Sequence, residues 1–329
     1  MSTILITGGT GLIGTALSQL LLEKGYEVIL LSRKSTAPLS VLPPQVITAS
    51  PSSAPSPLIS YRPALITASW DPDNQSIDPE AIRRADHIIH LAGAGVADKR
   101  WNAKRKKEIE ESRTKSGDLI VKALREIPNQ VKSVIGISGI GWYGPDASPQ
   151  PKAGGFVETD PVATDFLGET CRRWEESLSA VSSQDKRLVV LRTGIVLSRT
   201  GGALAEFKKP IRMGFAAILG SGRQMVSWIH IDDLCHFFLY AIEQDSMRGV
   251  YNAVSPSPVY NRTLTLALAK HLKGRFFIQV KVPSFILKIV VGEMSVEVLK
   301  SATVSAVKTL GTGFHFLYPS LESALPSLI

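Results

Sequence analysis

The stretch Ile4-Leu5-Ile6-Thr7-Gly8-Gly9-Thr10-Gly11-Leu12-Ile13-Gly14 reads as a strand, a glycine loop and the start of a helix. Each glycine has its own mechanical task when a dinucleotide pyrophosphate rests on a helix N-terminus. Gly8 permits the tight turn out of the strand, Gly11 has no Cβ to hold the phosphates away, and Gly14 lets the helix pack closely. Thr10 lies in the loop, and the N–H groups around Leu12 and Ile13 face the anion with the helix dipole behind them. A glycine triplet alone also fits an ordinary loop, so its context decides. Ile13, Leu17, Leu20 and Leu21 keep the spacing of one helix face, Gly25 can end that helix, and Val28-Ile29-Leu30-Leu31 reads as a second buried strand. The unit predicts a dinucleotide site.

The end of that second strand predicts which dinucleotide. Selectivity for NAD comes from a carboxylate there that accepts the ribose hydroxyls. This strand instead ends Leu31-Ser32-Arg33-Lys34. Arg33 can fork onto a 2′-phosphate and Ser32 can donate to it, so NADP(H) is the expected cofactor. The competing reading is a solvated Arg-Lys pair opening a loop.

Further outward, strand-like segments at 64–69, 87–91, 131–138 and 187–192 alternate with helical patterns at 79–85, 102–126 and 164–181. Such alternation predicts an α/β fold: a Rossmann-type, doubly wound parallel sheet with a smaller C-terminal substrate-side lobe. The expected boundaries are 1–194 for the nucleotide domain, completed by 225–254, and 195–224 with 255–329 for the lobe. Residues 38–63 are rich in proline and serine, which predicts an insertion without regular structure. Residues 226–231 are expected to form one strand, with Asp232 or Asp233 capping the helix 234–243.

Composition narrows the function classes. The 329 residues are 44% hydrophobic and 20% charged, as in a soluble enzyme-sized protein. Two cysteines, Cys171 and Cys235, cannot build a disulfide framework, and no zinc-type spacing occurs. The first strand starts close to Met1, so no targeting peptide and a cytoplasmic location are expected. Residues 282–299 are apolar but carry Lys288, Glu293 and Glu297, which predicts core helices and no membrane span. The net charge is +8, concentrated in Lys99, Arg100, Lys104, Arg105, Lys106 and Lys107. Glu108, Glu110 and Glu111 follow at once and no aromatics interleave, so a solvated helix face is expected, not nucleic-acid binding.

By this point the residues resemble an extended short-chain dehydrogenase/reductase (SDR). More narrowly, they are similar to the atypical NAD(P)-binding epimerase-family branch of that superfamily. The glycine run, Leu91-Ala92-Gly93, Asp98-Lys99-Arg100-Trp101, Trp142-Tyr143-Gly144, residues 192–197, Gly220-Ser221-Gly222-Arg223-Gln224 and residues 228–233 carry the resemblance. It spans nearly the whole chain apart from the insertion, and residues 302–308 depart from the branch's basic, proline-containing pattern. The resemblance implies that the cofactor also touches Leu91, Ala92, Gly93 and Val196, with Glu108 and Arg113 on its adenosine side. An active SDR uses a tyrosine with a lysine four residues later, whose charge lowers the phenol pKa. None of the seven tyrosines has that partner. Taking Glu175 as the glutamate beyond the usual lysine, Leu167 stands at the tyrosine position and Cys171 at the lysine position.

Two function classes follow. The first is an NADP(H)-dependent oxidoreductase or epimerase acting on a carbonyl or alcohol of an unidentified, polar, sugar-like small molecule. Ser138, closing the strand 131–138, would orient the carbonyl, and Tyr143 or a substrate group would supply the proton. A turn-satisfying serine and a tyrosine packed at the lobe interface are the structural alternatives. The second class is a non-catalytic NADP(H)-binding protein that engages a protein partner. Metal ligation is not expected, because His87 and His90 point to opposite faces of one strand.

Overall fold

The computed structural model describes residues 2–33, 40–41, 64–146 and 153–329. In chain order the first half comprises β1 (Thr3–Thr7), α1 (Leu12–Glu23), β2 (Glu27–Ser32), β3 (Ser40–Val41), β4 (Leu65–Asp71), β5 (Ser76–Ile77), α2 (Pro79–Arg84), β6 (His87–His90), α3 (Ala103–Glu126), β7 (Ser133–Gly139), α4 (Phe166–Ser179) and β8 (Arg187–Thr193). The rest comprises β9 (Ile195–Ser198), β10 (Gly201–Gly202), α5 (Ala203–Arg212), β11 (Phe215–Leu219), β12 (Met225–Val226), β13 (Trp228–His230), α6 (Ile231–Glu243), β14 (Gly249–Ala253), β15 (Val259–Tyr260), α7 (Asn261–Lys273), β16 (Ile278–Val282), α8 (Ser284–Val291), α9 (Ser295–Leu299), α10 (Val307–Gly311) and α11 (Leu321–Leu328).

Seven strands pair in parallel in the spatial order β4-β2-β1-β6-β7-β8-β14, with β3 and β5 antiparallel to β4. The chain winds from β1 to one side through β2 and β4, then returns to the other side through β6. The reversal point lies between β1 and β6, where ligands of such sheets bind. The period-2 geometry of strands explains the two cores. Ile4 and Ile6 face one side with Leu17, Leu21, Phe237 and Phe238, whereas Leu5 faces the other with Ala81, Ile82, Leu119 and Ile120. Helices α1 and α6 thus cover one face, and α2 and α3 the opposite one.

A third core, built on Leu204, Ile211, Trp228, Leu264, Leu268, Leu321 and Leu328, belongs to the lobe. Several details depart from the sequence reading. Residues 225–230 form two short strands that pair with β15 and β9, not with the large sheet. Helix α6 begins at Ile231, and His230 caps it by accepting the Asp232 N–H. Asp233 is instead buried and accepts N–H bonds from Leu317 and Tyr318, which ties the C-terminal segment to α6. Within the Pro/Ser segment Ser40–Val41 pairs with β4, and the rest lies outside the described residues. The stretch expected to form core helices is largely outside the core: on α8 only Leu287 is buried, while Phe285, Ile286, Ile289 and Val290 are exposed. No helix among the described residues is long and apolar enough to cross a membrane.

Candidate functional site

At the β1/β6 junction the backbone needs the glycines it has. Gly8 has φ +70, and a Cβ there would meet the Leu91 carbonyl carbon at 2.9 Å. A Cβ on Gly14 would strike the Gly8 oxygen at 2.4 Å and the Gly9 Cα at 2.5 Å. At Gly11 an added Cβ would meet only the Gly8 oxygen, at 3.3 Å. Gly11 is also the N-cap of α1, and no side chain caps that end. The first-turn N–H groups therefore keep their capacity for an anion. This cradle fits a dinucleotide pyrophosphate. The β10 turn sits above it, since a Cβ on Gly202 would touch the Leu12 side chain at 2.9 Å.

One buried chain of hydrogen bonds ties the loop to β6. The Thr7 hydroxyl oxygen accepts the N–H groups of Leu91 (3.0 Å) and Ala92 (3.1 Å), so its proton goes to His90 Nδ1 at 2.9 Å. His90 Nε2 then carries the ring proton and donates to Ser116 Oγ at 3.3 Å. Burial drives the His90 pKa down to about 3, with Arg113 adding to the effect, so the ring is neutral. Of the sequence-predicted contacts, Leu91, Ala92 and Gly93 therefore line the reversal point beside Gly8. Arg113 is buried beneath them: its guanidinium donates to the carbonyls of Ala94 and Ile109 and stacks on Trp174. Burial lowers its pKa to about 10.

The other expected cofactor residues take different positions. Ser32 and Arg33 end β2 at the same carboxyl edge, and Arg33 is exposed. Val196 lies on β9 against the core shared with α1. Glu108 is exposed and binds Arg105 at 2.8 Å, the bond that chiefly lowers its pKa. Its neighbours behave alike, because Lys106 pairs with Glu293 and Lys107 with Glu111. Thus carboxylates balance much of the basic run.

Where the substrate side should lie, the structure shows a network that sequence reading missed. Ser138 Oγ donates to Glu175 Oε1 at 2.8 Å. Glu175 accepts a bidentate pair from Arg192, at 2.8 and 2.9 Å. The two side chains are only 11% and 3% exposed. Arg192 also donates to the Tyr143 hydroxyl (3.2 Å) and the Glu158 backbone carbonyl (3.1 Å), and its guanidinium carbon sits 3.5 Å from the centre of the Trp142 ring. Tyr143 is fully buried, donates to Asn252 Oδ1 at 2.7 Å, and is pushed up by burial to a pKa of about 12. Burial is the largest single influence and disfavours charge on Arg192, but the bonds it donates to Glu175 and Tyr143 and the Glu175 charge together raise its pKa above the usual value. The missed signal was Arg192 itself, a charge that directly follows the apolar run Leu188-Val189-Val190-Leu191 and that a buried strand carries only when paired.

Leu167 and Cys171 occupy the same region. A Cβ on Gly141 would meet the Leu167 Cβ at 3.0 Å and the Cys171 sulfur at 3.5 Å, so both pack against the loop after β7. Burial raises the Cys171 thiol to about 11, with Glu175 adding to it, so it is no thiolate. His230 is structural: its Nδ1 accepts the Asp232 N–H and its Nε2 donates to Ser327.

Comparison with known proteins agrees with this geometry. The NAD dependent epimerase/dehydratase family profile matches residues 4–253, and a domain of unknown function matches residues 282–328. An epimerase family protein of Staphylococcus saprophyticus, SSP1921, is 33% identical, with all of both chains covered. The human epimerase family protein SDR39U1 in a crystal structure with NADPH is 30% identical, with a TM-score of 0.80 over 99% of this chain and 98% of that one. A nucleoside-diphosphate sugar epimerase of Corynebacterium glutamicum is 27% identical, with a TM-score of 0.71 over 99% of this chain and 58% of the other. With a Rossmann reversal point, an uncapped glycine cradle and matches of this extent, the chain belongs to the NAD dependent epimerase/dehydratase family.

Proposed function

We propose that the protein is a cytoplasmic NADP(H)-dependent oxidoreductase or epimerase acting on a hydroxyl or carbonyl carbon of a small, polar, sugar-like molecule. The observation that carries the cofactor assignment is the carboxyl end of β2, where Arg33 stands exposed and the strand's own sequence, Leu31-Ser32-Arg33-Lys34, ends without a carboxylate. Gly8, Thr10, Gly11, Leu12, Ile13 and Gly14 would hold the pyrophosphate, Ser32 and Arg33 the 2′-phosphate, and Leu91 to Gly93 the neighbouring ribose. The relative solved with NADPH supports the same choice. A nicotinamide held here supplies a hydride donor or acceptor.

The chain's own contribution to chemistry is small. Ser138 gives its proton to Glu175, so toward a ligand its oxygen is an acceptor, which suits an alcohol better than a carbonyl. We do not assign the proton transfer to Tyr143, whose hydroxyl is buried and bonded on both sides. Its role is to position Arg192 and Asn252. General acid/base help of about 10²–10⁴-fold is then missing, and turnover is slow. The nucleoside-diphosphate sugar epimerase among the relatives motivates sugar nucleotides as first substrates to test. A second reading, an NADP(H)-binding protein without turnover, is favoured by Leu167 and buried Cys171 at the acid/base positions.

Titration of NADPH and NADH into the wild type and Arg33→Ala tests the cofactor assignment. NADPH should bind the wild type more tightly, and the variant should lose roughly ten- to a hundredfold of that affinity. Equal wild-type affinity for both dinucleotides refutes it. A screen of sugar nucleotides with Ser138→Ala as control tests catalysis. Absence of turnover in a protein that still binds NADPH selects the second reading.

A further inference from the structure

The turn between β9 and β10 brings an unused cation to the phosphate cradle. Ser198 pairs with Gly201 and Leu197 with Gly202, so Arg199 and Thr200 form a two-residue turn. Ser198 Oγ accepts the Thr200 N–H at 3.3 Å and shares a bond with the Thr200 hydroxyl at 2.9 Å, which fixes the turn from inside. Leu197 before it and Leu204 after it are fully buried in the lobe core. The turn is therefore anchored, with Arg199 exposed at its tip. Arg199 makes no hydrogen bond or ion pair with any described residue, and Glu206, the carboxylate that follows on α5, is taken by Lys209.

That turn lies against α1. A Cβ on Gly201 would meet the Leu12 side chain at 3.6 Å, and one on Gly202 at 2.9 Å. Leu12 is the first residue of α1, directly after the Gly11 N-cap, so the contact marks the helix end where a pyrophosphate would rest. Arg199 is two residues from Gly201, at most about 7.6 Å along the Cα trace, a gap that an extended arginine side chain spans. Gly202 is also the N-cap of α5, and no side chain caps that helix either. Both sides of the cradle thus present positive helix ends.

The glycine loop itself lacks a counter-charge. From Gly8 to Thr15 there is no lysine or arginine, so only backbone N–H groups meet the negative charge on each phosphate. A guanidinium forks onto phosphate oxygens and stays charged at every physiological pH. We propose that Arg199 is a phosphate-binding residue of the dinucleotide site, contacting the pyrophosphate from the lobe while α1 holds it from the nucleotide domain. The proposal rests on dinucleotide binding at this cradle and not on the choice between NADP(H) and NAD(H), because the pyrophosphate is common to both. Arg33 and Arg199 then have separate tasks. The first reads the 2′-phosphate, which only NADP(H) has, and the second reads the bridge between the two nucleotides.

Fluorescence titration of NADPH and NADH into the wild type, Arg199→Ala, Arg199→Lys and Arg33→Ala tests this, with thermal midpoints of the ligand-free proteins measured beside it. Arg199→Ala should weaken NADPH and NADH by the same factor, roughly tenfold or more, as expected for a lost charge-assisted bond. Its ligand-free midpoint should stay at the wild-type value, since the side chain leaves no partner unpaired. Arg199→Lys keeps the charge without the fork and should recover part of the affinity. Arg33→Ala should weaken NADPH only. Equal wild-type affinity for the two dinucleotides refutes the Arg33 assignment, while the Arg199 comparison on NADH still stands. An Arg199→Ala protein that binds both dinucleotides as the wild type does leaves a solvated turn residue and overturns the proposal. So does a loss confined to NADPH, which makes Arg199 a reader of the 2′-phosphate, or a loss accompanied by a lower midpoint, which makes its role structural.

Discussion

Replacing Glu175 with glutamine isolates the network behind Ser138. The amide keeps an oxygen for the Ser138 proton but removes the charge that Arg192 faces at 2.8 and 2.9 Å. Arg192 is 3% exposed, so water cannot take over. Its remaining partners, the Tyr143 hydroxyl and the Glu158 carbonyl, are neutral. Removing one partner of a buried ion pair costs about 3–5 kcal/mol, because the other charge is stranded. At about 2 °C per kcal/mol for a chain of this size, the midpoint should fall by roughly 6–10 °C. Urea denaturation and calorimetry of wild type, Glu175→Leu, Arg192→Met and Glu175→Leu/Arg192→Met close a double-mutant cycle, with Glu175→Gln measured beside it. The double variant should recover much of the loss, since exchanging a buried pair for apolar side chains is often neutral or stabilising. A loss below about 1 kcal/mol in Glu175→Gln, the range of exposed pairs, would refute the claim that the pair is desolvated.

Three other outcomes follow from the site. His90 protonates near 6.5 when unfolded but only near 3 when folded, so its contribution is complete above pH 6.5 and is lost as the pH falls below it. The unfolded chain binds the extra proton across that window, and His90→Gln should reduce the slope of stability against pH by about 1.4 kcal/mol per unit between pH 4.5 and 6; an unchanged slope in denaturation series refutes a neutral His90. Gly11→Ala should leave the thermal midpoint near the wild type yet weaken NADPH binding, because its Cβ meets only one backbone oxygen at 3.3 Å but lies where the phosphates approach. Gly14→Ala should lose both stability and binding, since backbone atoms at 2.4 and 2.5 Å cannot move aside; a titration in which Gly14→Ala binds normally would contradict the loop geometry.

What depends only on neighbouring residues was legible along the chain. The glycine spacing, the continuous apolar runs of β1 and β2 and the helix faces between them are local patterns, and they specified the Rossmann half and its phosphate cradle. The absence of a tyrosine–lysine pair was equally legible, because it is a statement about offsets along one helix. Tertiary structure decided what long-range pairing creates. Ser138, Glu175, Arg192 and Asn252 lie up to 114 positions apart, and only the sheet order β7-β8-β14 with α4 packed against β7 and β8 brings them together. Whether a charge inside a strand is an error, a surface residue or half of a buried pair depends on the partner that folding delivers. For the same reason the α8 pattern looked like core. Apolar side chains show only that burial is favourable, whereas the surface available to bury them is a property of the packed lobe.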